Sequence, residues 1–168
     1  MAGEVLATAY FRQGMYVQAY STYGGARRGA PVSTFIRVDE DPIRLRCDID
    51  EPDAVICFDP SLVSPALLSG AGPHTAVLVN SARPPEEFAG LGEFRVATLD
   101  ARAEAQANGL GRIVNSALLG AFARMMGSPC VEFLAEVVRD VSPARKDENA
   151  RSVLEGYRLV QLGSEVGA

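Results

Sequence analysis

Arg27 and Arg28 stand side by side in AYSTYGGARRGAP, residues 19–31, between Gly24, Gly25 and Gly29 and ahead of Pro31. A guanidinium presents five donors in a planar fork that matches a carboxylate or a phosphate. Glycine lets the backbone turn through positive φ or come close to another surface. The stretch therefore suits an anionic ligand or a partner surface.

Other groups capable of chemistry are few. His74 is the sole histidine and lies in GPHT, a turn. A Ser-His-Asp arrangement built on Ser61 or Ser81 would need that turn residue as its base, and a metal site of several histidines is excluded by the count. Cys47, Cys57 and Cys130 show no C-x-x-C spacing, so no iron–sulfur cluster is expected on this chain alone. Asp39, Glu40 and Asp41 form DEDP with Pro42, a sequence that solvates a turn. Asp59 follows the apolar run AVICF, and Asn80 with Ser81 follows TAVLV. Ligands gather at the carboxyl ends of strands in open α/β sheets, but an acid there serves equally as a helix N-cap. Both readings stand for Asp59, Asn80 and Ser81. No catalytic residue and no metal ligand is expected on the chain itself.

The balance of charge narrows the partners. The 168 residues carry a net charge of −5, which gives no basic field for a phosphate backbone, so nucleic acid is not an expected partner. No apolar run reaches the ~18–20 residues of a membrane span, and no basic-then-apolar leader opens the chain. A cytoplasmic protein without membrane attachment is expected.

These residues need elements to position them. GEVLATAYFRQG places Val5, Leu6, Ala9 and Tyr10 on one helical stripe that Gly14 can end. MYVQAY reads as a strand leading into the glycine–arginine loop. PVSTFIRV alternates as a strand should, and IRLRC after the DEDP turn reads as its hairpin partner, bringing Arg37, Arg44 and Arg46 together. AVICF, TAVLVNS and FRVATLD read as buried parallel strands, with a helix expected over SLVSPALLSG and another over ARAEAQANGLG, stopped at Asn108-Gly109. RIVNSALLGAFARMMG, CVEFLAEVVRDV and DENARSVLEGYRLVQLG follow as amphipathic helices. The expected architecture is α/β: a three-layer Rossmann-like mixed sheet with a β-hairpin insertion and a helical C-terminal part, all in one domain over residues 1–168.

The run YVQAYSTYGGARRGAPVSTFIRVDEDPIR, with EPDAVICFDPSL and TAVLVNS, resembles the gamma subunit or domain of the thiamine-diphosphate-dependent 2-oxoacid:ferredoxin (acceptor) oxidoreductases, which act on pyruvate, 2-oxoglutarate, 2-oxoisovalerate or indolepyruvate. Gln18, Tyr23, Gly24, Arg28, Gly29, Ala30 and Arg37 match the family's loop and following strand. Asn115, Leu119 and Gly120 match one of its helices, and Asn149, Gly156 and Tyr157 match its closing helix. Two departures stand out: Ala26 replaces a family glutamate, and the chain begins at the first helix, without the strand and Gly-x-Gly-Gly-Gln-Gly loop that precede it in the family. The domain is thus expected to be N-terminally truncated, either through a start recorded downstream of the true one or with a partner chain filling the gap.

The resemblance implies a subunit that is not catalytic alone. Thiamine diphosphate and iron–sulfur clusters would sit in alpha, beta and ferredoxin-like delta subunits or their fused equivalents. This chain would contribute subunit packing and a coenzyme A contact while a 2-oxoacid is oxidatively decarboxylated and electrons pass to ferredoxin. Tyr23, Gly24, Arg28, Gly29 and Arg37 are the implied interface or ligand-facing residues, with Asp59, Asn80 and Ser81 as strand-end contacts. The alternative is a stand-alone binding or regulatory module of the same fold, suggested by Ala26 and the absent glycine loop. The particular 2-oxoacid, the electron acceptor and the subunit count are not written in this chain.

Overall fold

The structure, a computed structural model, describes residues 2–23, 32–45 and 47–163, with the backbone alone at Tyr23. Met1–Ile49 and Asp50–Ala168 form two compact units.

In the first unit, α1 (Ala2–Arg12) buries Leu6 and Ala9, the stripe expected from their spacing. It ends where Gly14 takes φ of 87°. The chain then enters β1 (Tyr16–Tyr23), which pairs antiparallel with β2 (Val32–Asp39) from Tyr16↔Asp39 to Tyr23↔Val32. The hairpin therefore closes across the glycine–arginine segment, not across DEDP. IRLRC forms no strand over its described residues, and Arg44 is exposed there. In its place β1 is the hairpin partner of β2, along eight consecutive pairs. Helix α1 packs on both strands, and a Cβ added at Gly3 would run into Thr34 and lie near Ile36. This places α1 over the face that carries Thr34 and Ile36. The opposite face carries Gln18, Tyr20, Phe35 and Arg37.

The second unit holds β3 (Ala54–Cys57), β4 (Ala76–Asn80), β5 (Arg95–Leu99) and the short β6 (Gln161–Leu162), in the order β3-β4-β5-β6. The first three run parallel and β6 is antiparallel to β5, so the sheet is mixed. Val77 and Val79 point to one face and join Cys57, Leu68, Phe88, Phe94 and Val96 in a buried cluster. Ala76 and Leu78 alternate to the other face, where α3 (Asn115–Met126) packs. Short 3-10 turns and loops cover one side of the sheet and helices the other. Residues 63–70 are turns preceded by a single 3-10 turn at Pro60–Leu62, not the helix expected over SLVSPALLSG. Pro65 lacks the N–H that a helix interior needs and its ring clashes with the preceding turn.

The remaining helices are α2 (Ala101–Ala107), α4 (Val131–Val141) and α5 (Lys146–Leu159). Helix α3 crosses α5 closely enough that a Cβ on Gly120 would collide with the Val153 carbonyl, and one on Gly156 with the Ala117 carbonyl. Ser116 Oγ donates to Asn149 Oδ1 at 2.7 Å inside that crossing. No helix among the described residues is long and apolar enough to cross a membrane.

Candidate functional site

Two places carry the residues singled out from sequence. On the first unit, β1 and β2 hold the glycine–arginine segment between their ends. Gly24, Arg27, Arg28 and Gly29 lie outside the described residues, as does Arg46, while Tyr23 closes β1 opposite Val32. Arg37 lies opposite Gln18 in the ladder and donates a hydrogen bond to Gln18 Oε1 at 3.3 Å. Its other amino group donates to the Asp48 carbonyl at 2.9 Å and approaches Cys47 Sγ at 3.6 Å. The guanidinium thus ties the strand to the segment at 47–48. Tyr20 supports the same connection: its hydroxyl reaches the Cys47 carbonyl at 3.2 Å and Asp48 Oδ1 at 3.3 Å, and its ring stacks on Phe35 at 5.2 Å. Desolvation, and then the Asp48 carboxylate, push the Tyr20 hydroxyl above its usual pKa, while Arg37 pulls it down.

The second place is the carboxyl end of the parallel strands. Asp59 caps the 3-10 turn after β3, accepting from Ser61 N at 2.9 Å. The backbone and hydroxyl of Ser61, with the charge of Arg102, hold its carboxyl below the usual range. Asn80, at the end of β4, donates to the Phe58 carbonyl at 3.0 Å and accepts from Ala101 N at 3.1 Å. It links the ends of two strands to the start of α2. Ser81 Oγ accepts from Arg83 N at 3.0 Å. Asp100 completes the row after β5 and caps α2 through Ala103 N at 2.9 Å. Sequence reasoning passed over Asp100, although it follows FRVATL just as Asp59 follows AVICF.

Sequence reasoning also missed Glu104. Its buried carboxyl accepts from Asn108 Nδ2 at 2.6 Å and Ser152 Oγ at 2.7 Å. Periodicity gave no signal, because a glutamate on a short helix reads as surface until a neighbouring helix covers it.

The geometry brings Arg37, Gln18, Tyr20 and Asp48 together, and separately joins the ends of β3, β4 and β5. It builds no nucleophile–base pair among these residues. What the arrangement can do is hold a loop and order strand ends, the work of a scaffold.

A family model described as pyruvate ferredoxin/flavodoxin oxidoreductase matches residues 1–159. The chain belongs to that family. It is 37% identical to the pyruvate/ketoisovalerate oxidoreductases common subunit gamma of Pyrococcus furiosus, over 96% of this chain and 90% of the relative. It is 36% identical to pyruvate synthase subunit PorC of Methanothermobacter thermautotrophicus, over 95% and 88% of the two chains. The crystal structure of pyruvate oxidoreductase subunit PORC from Thermotoga maritima matches with a TM-score of 0.85 at 28% identity, covering 97% of this chain and 90% of that one. The 2-oxoglutarate:ferredoxin oxidoreductase of Magnetococcus marinus shares the fold alone, at 18% identity and a TM-score of 0.68 over 94% of this chain and 28% of its own. Within the pyruvate ferredoxin/flavodoxin oxidoreductase family the chain is of the gamma type, a subunit of an oxidoreductase. Its relatives' description as a common subunit gamma implies further subunits beside it.

Proposed function

We propose that the chain is the gamma subunit of a thiamine-diphosphate-dependent 2-oxoacid:ferredoxin oxidoreductase in the cytoplasm, and that it supports oxidative decarboxylation without supplying the catalytic groups. The observation that carries this is its identity of 36–37% to gamma and PorC subunits along at least 95% of its length. Thiamine diphosphate and iron–sulfur clusters belong to alpha, beta and delta subunits in this reading. There the carboxylate is lost as carbon dioxide, and electrons leave for ferredoxin.

Coenzyme A brings phosphates, so its seat needs cations and backbone N–H groups. Arg37 is committed to Gln18 and the Asp48 carbonyl, and the strand-end row carries the acids Asp59 and Asp100. In this reading the coenzyme A contact falls to Arg28, the position that matches the family's loop, with Gly24 and Gly29 letting the backbone approach. Tyr23 ends β1 at the edge of that loop, and Arg37, farther along β2, holds the strand to Asp48. In the second unit, Asp59, Asn80 and Ser81 are the strand-end contacts of this reading.

Reconstitution with and without this chain tests the proposal. The complete complex should reduce ferredoxin in the presence of a 2-oxoacid and coenzyme A, and omission of the chain should lower the rate at least tenfold. An undiminished rate without it would overturn the proposal.

A further inference from the structure

Helix α2 joins the strand-end row to the last helix of the second unit. Its first N–H, at Ala101, donates to Asn80 Oδ1 at 3.1 Å. One turn on, the buried Glu104 meets α5: Ser152 Oγ donates to its Oε2 at 2.7 Å, and Asn108 Nδ2 to its Oε1 at 2.6 Å. A helix of seven residues is too short to hold itself in water, so α2 depends on such contacts.

A buried glutamate ordinarily has a cationic partner. Among the described residues this one has none. From α5 it faces Ser152 and the carboxylate of Glu155, itself paired with Arg158 at 3.2 Å. The other bases of α5 are engaged or in solvent: Arg145 bonds the Gly109 carbonyl, Lys146 the Asp140 carbonyl, and Arg151 is exposed. Helix α3 has one charged side chain, Arg124, which lies over the Tyr157 ring. Strand β6 has no charged residue, and Arg102 of α2 acts on Asp59.

The two bonds suit either state of the carboxyl. Ionised, it accepts from Ser152 and Asn108; neutral, its own O–H donates to Ser152 Oγ while Asn108 still donates to the other oxygen. The difference is that ionisation buries a charge between neutral donors. Burial accordingly holds the Glu104 pKa above its usual value, against the pull of Ser152 and Asn108. Relief is close, because Glu104 also borders an open groove of about 340 Å³ between α2 and the end of α5. A small parting of the two helices wets the carboxyl.

We propose that Glu104 is a proton-operated latch: neutral, it holds α2 against α5, and ionised, it lets α2 open into solvent while the sheet, α3 and α4 stay folded. Opening also loosens the Ala101–Asn80 bond, so the latch reports to the strand ends.

Amide exchange on the full chain at a series of pH values, corrected for the intrinsic rate, tests this. Carbon-13 shifts of the glutamate carboxyls follow the titration in parallel, Glu104 being the signal that Glu104→Gln removes. Protection at residues 104–108 should lie below that at residues 119–123 of α3. It should fall by up to about tenfold per pH unit as pH rises from the ordinary glutamate range through the Glu104 midpoint. Glu104→Gln should flatten that decline. Ser152→Ala removes a donor that favours the charged form, so it should move the midpoint upward. Should Glu104→Gln fail to fold, the wild type and Ser152→Ala decide, with the carboxyl whose midpoint moves taken as Glu104. Protection of α2 equal to that of α3 would mean that α2 opens only when the whole unit unfolds, and would overturn the latch. So would protection that does not change with pH, an equal decline in Glu104→Gln, or a midpoint that Ser152→Ala leaves in place.

Discussion

Ser152 Oγ donates a 2.7 Å hydrogen bond to Glu104 Oε2 across 48 residues of sequence, and both residues are buried. The contact fastens α5 to α2. Burial raises the Glu104 pKa above the ordinary glutamate value; the bonds from Ser152 and Asn108 pull it back, and Glu155 pushes it up again. Below the ordinary value, folded and unfolded chains both hold the proton. Above it the folded chain keeps a proton that the unfolded chain has lost, so stability falls as pH rises through the folded value and then levels off. The slope cannot exceed about 1.4 kcal/mol per pH unit for one proton. Denaturant titrations across this window should show the decline in the wild type and a flatter profile in Glu104→Gln; parallel profiles would refute the assignment.

Gly120 and Gly156 should each resist a methyl group. The added Cβ meets the backbone carbonyl of Val153 or Ala117, and a backbone cannot swing aside as a side chain can. Gly120→Ala and Gly156→Ala should each cost about 1–3 kcal/mol as overpacked sites, or roughly 2–12 °C in melting temperature for a chain of this size. The double variant should depart from additivity because both act on one crossing.

Asn80 and Ser81 separate structural work from ligand contact. Asn80→Ala leaves the Phe58 carbonyl and Ala101 N without their partner and should cost about 1–3 kcal/mol. Ser81→Ala loses one exposed bond from Arg83 N and should stay within about 0.5 kcal/mol of wild type. Thermal melts decide this, and an unmoved melting temperature in Asn80→Ala would mean that the side chain is not a clamp.

Arg28 and Arg37 should fail in opposite ways. Arg37→Ala removes the bonds to Gln18 and the Asp48 carbonyl and should lower the melting temperature of the isolated chain. Arg28→Ala should leave that temperature in place and weaken assembly or coenzyme A-dependent turnover by about 2–5 kcal/mol, the usual cost of truncating one side of a buried charged pair. Arg27→Ala is the control and should do much less. If neither loop variant alters assembly or turnover, the glycine–arginine segment is ordinary surface.

Much of this could be read from the sequence because local pattern and tertiary environment agree. AVICF, TAVLV and FRVATL are apolar on both faces, which suits parallel strands between two layers, and Gly14 and Asn108-Gly109 stop helices where expected. Where they diverge, sequence reading fails. IRLRC has strand composition but loses its partner to β1, and SLVSPALLSG has helical apolar content that Pro65 overrides. Strand β6 is too short for any period to show. For the candidate site, Gln18 and Arg37 were legible only as matches to the family, because the expected hairpin set Arg37 beside Arg44 and Arg46, and the Asp48 carbonyl that holds Arg37 is a backbone group that leaves no mark in side-chain composition. Asp100 was legible by its place after FRVATL, whereas Glu104 becomes visible only when α5 covers α2.

The mass of the native complex, with each subunit identified, tests the central claim most directly. The account predicts that this 17.9 kDa chain runs in stoichiometric amount within a larger particle that also contains thiamine-diphosphate-binding and iron–sulfur subunits. Recovery of the chain only as a free 17.9 kDa species, while a complete 2-oxoacid oxidoreductase from the same cells lacks it, would contradict that account.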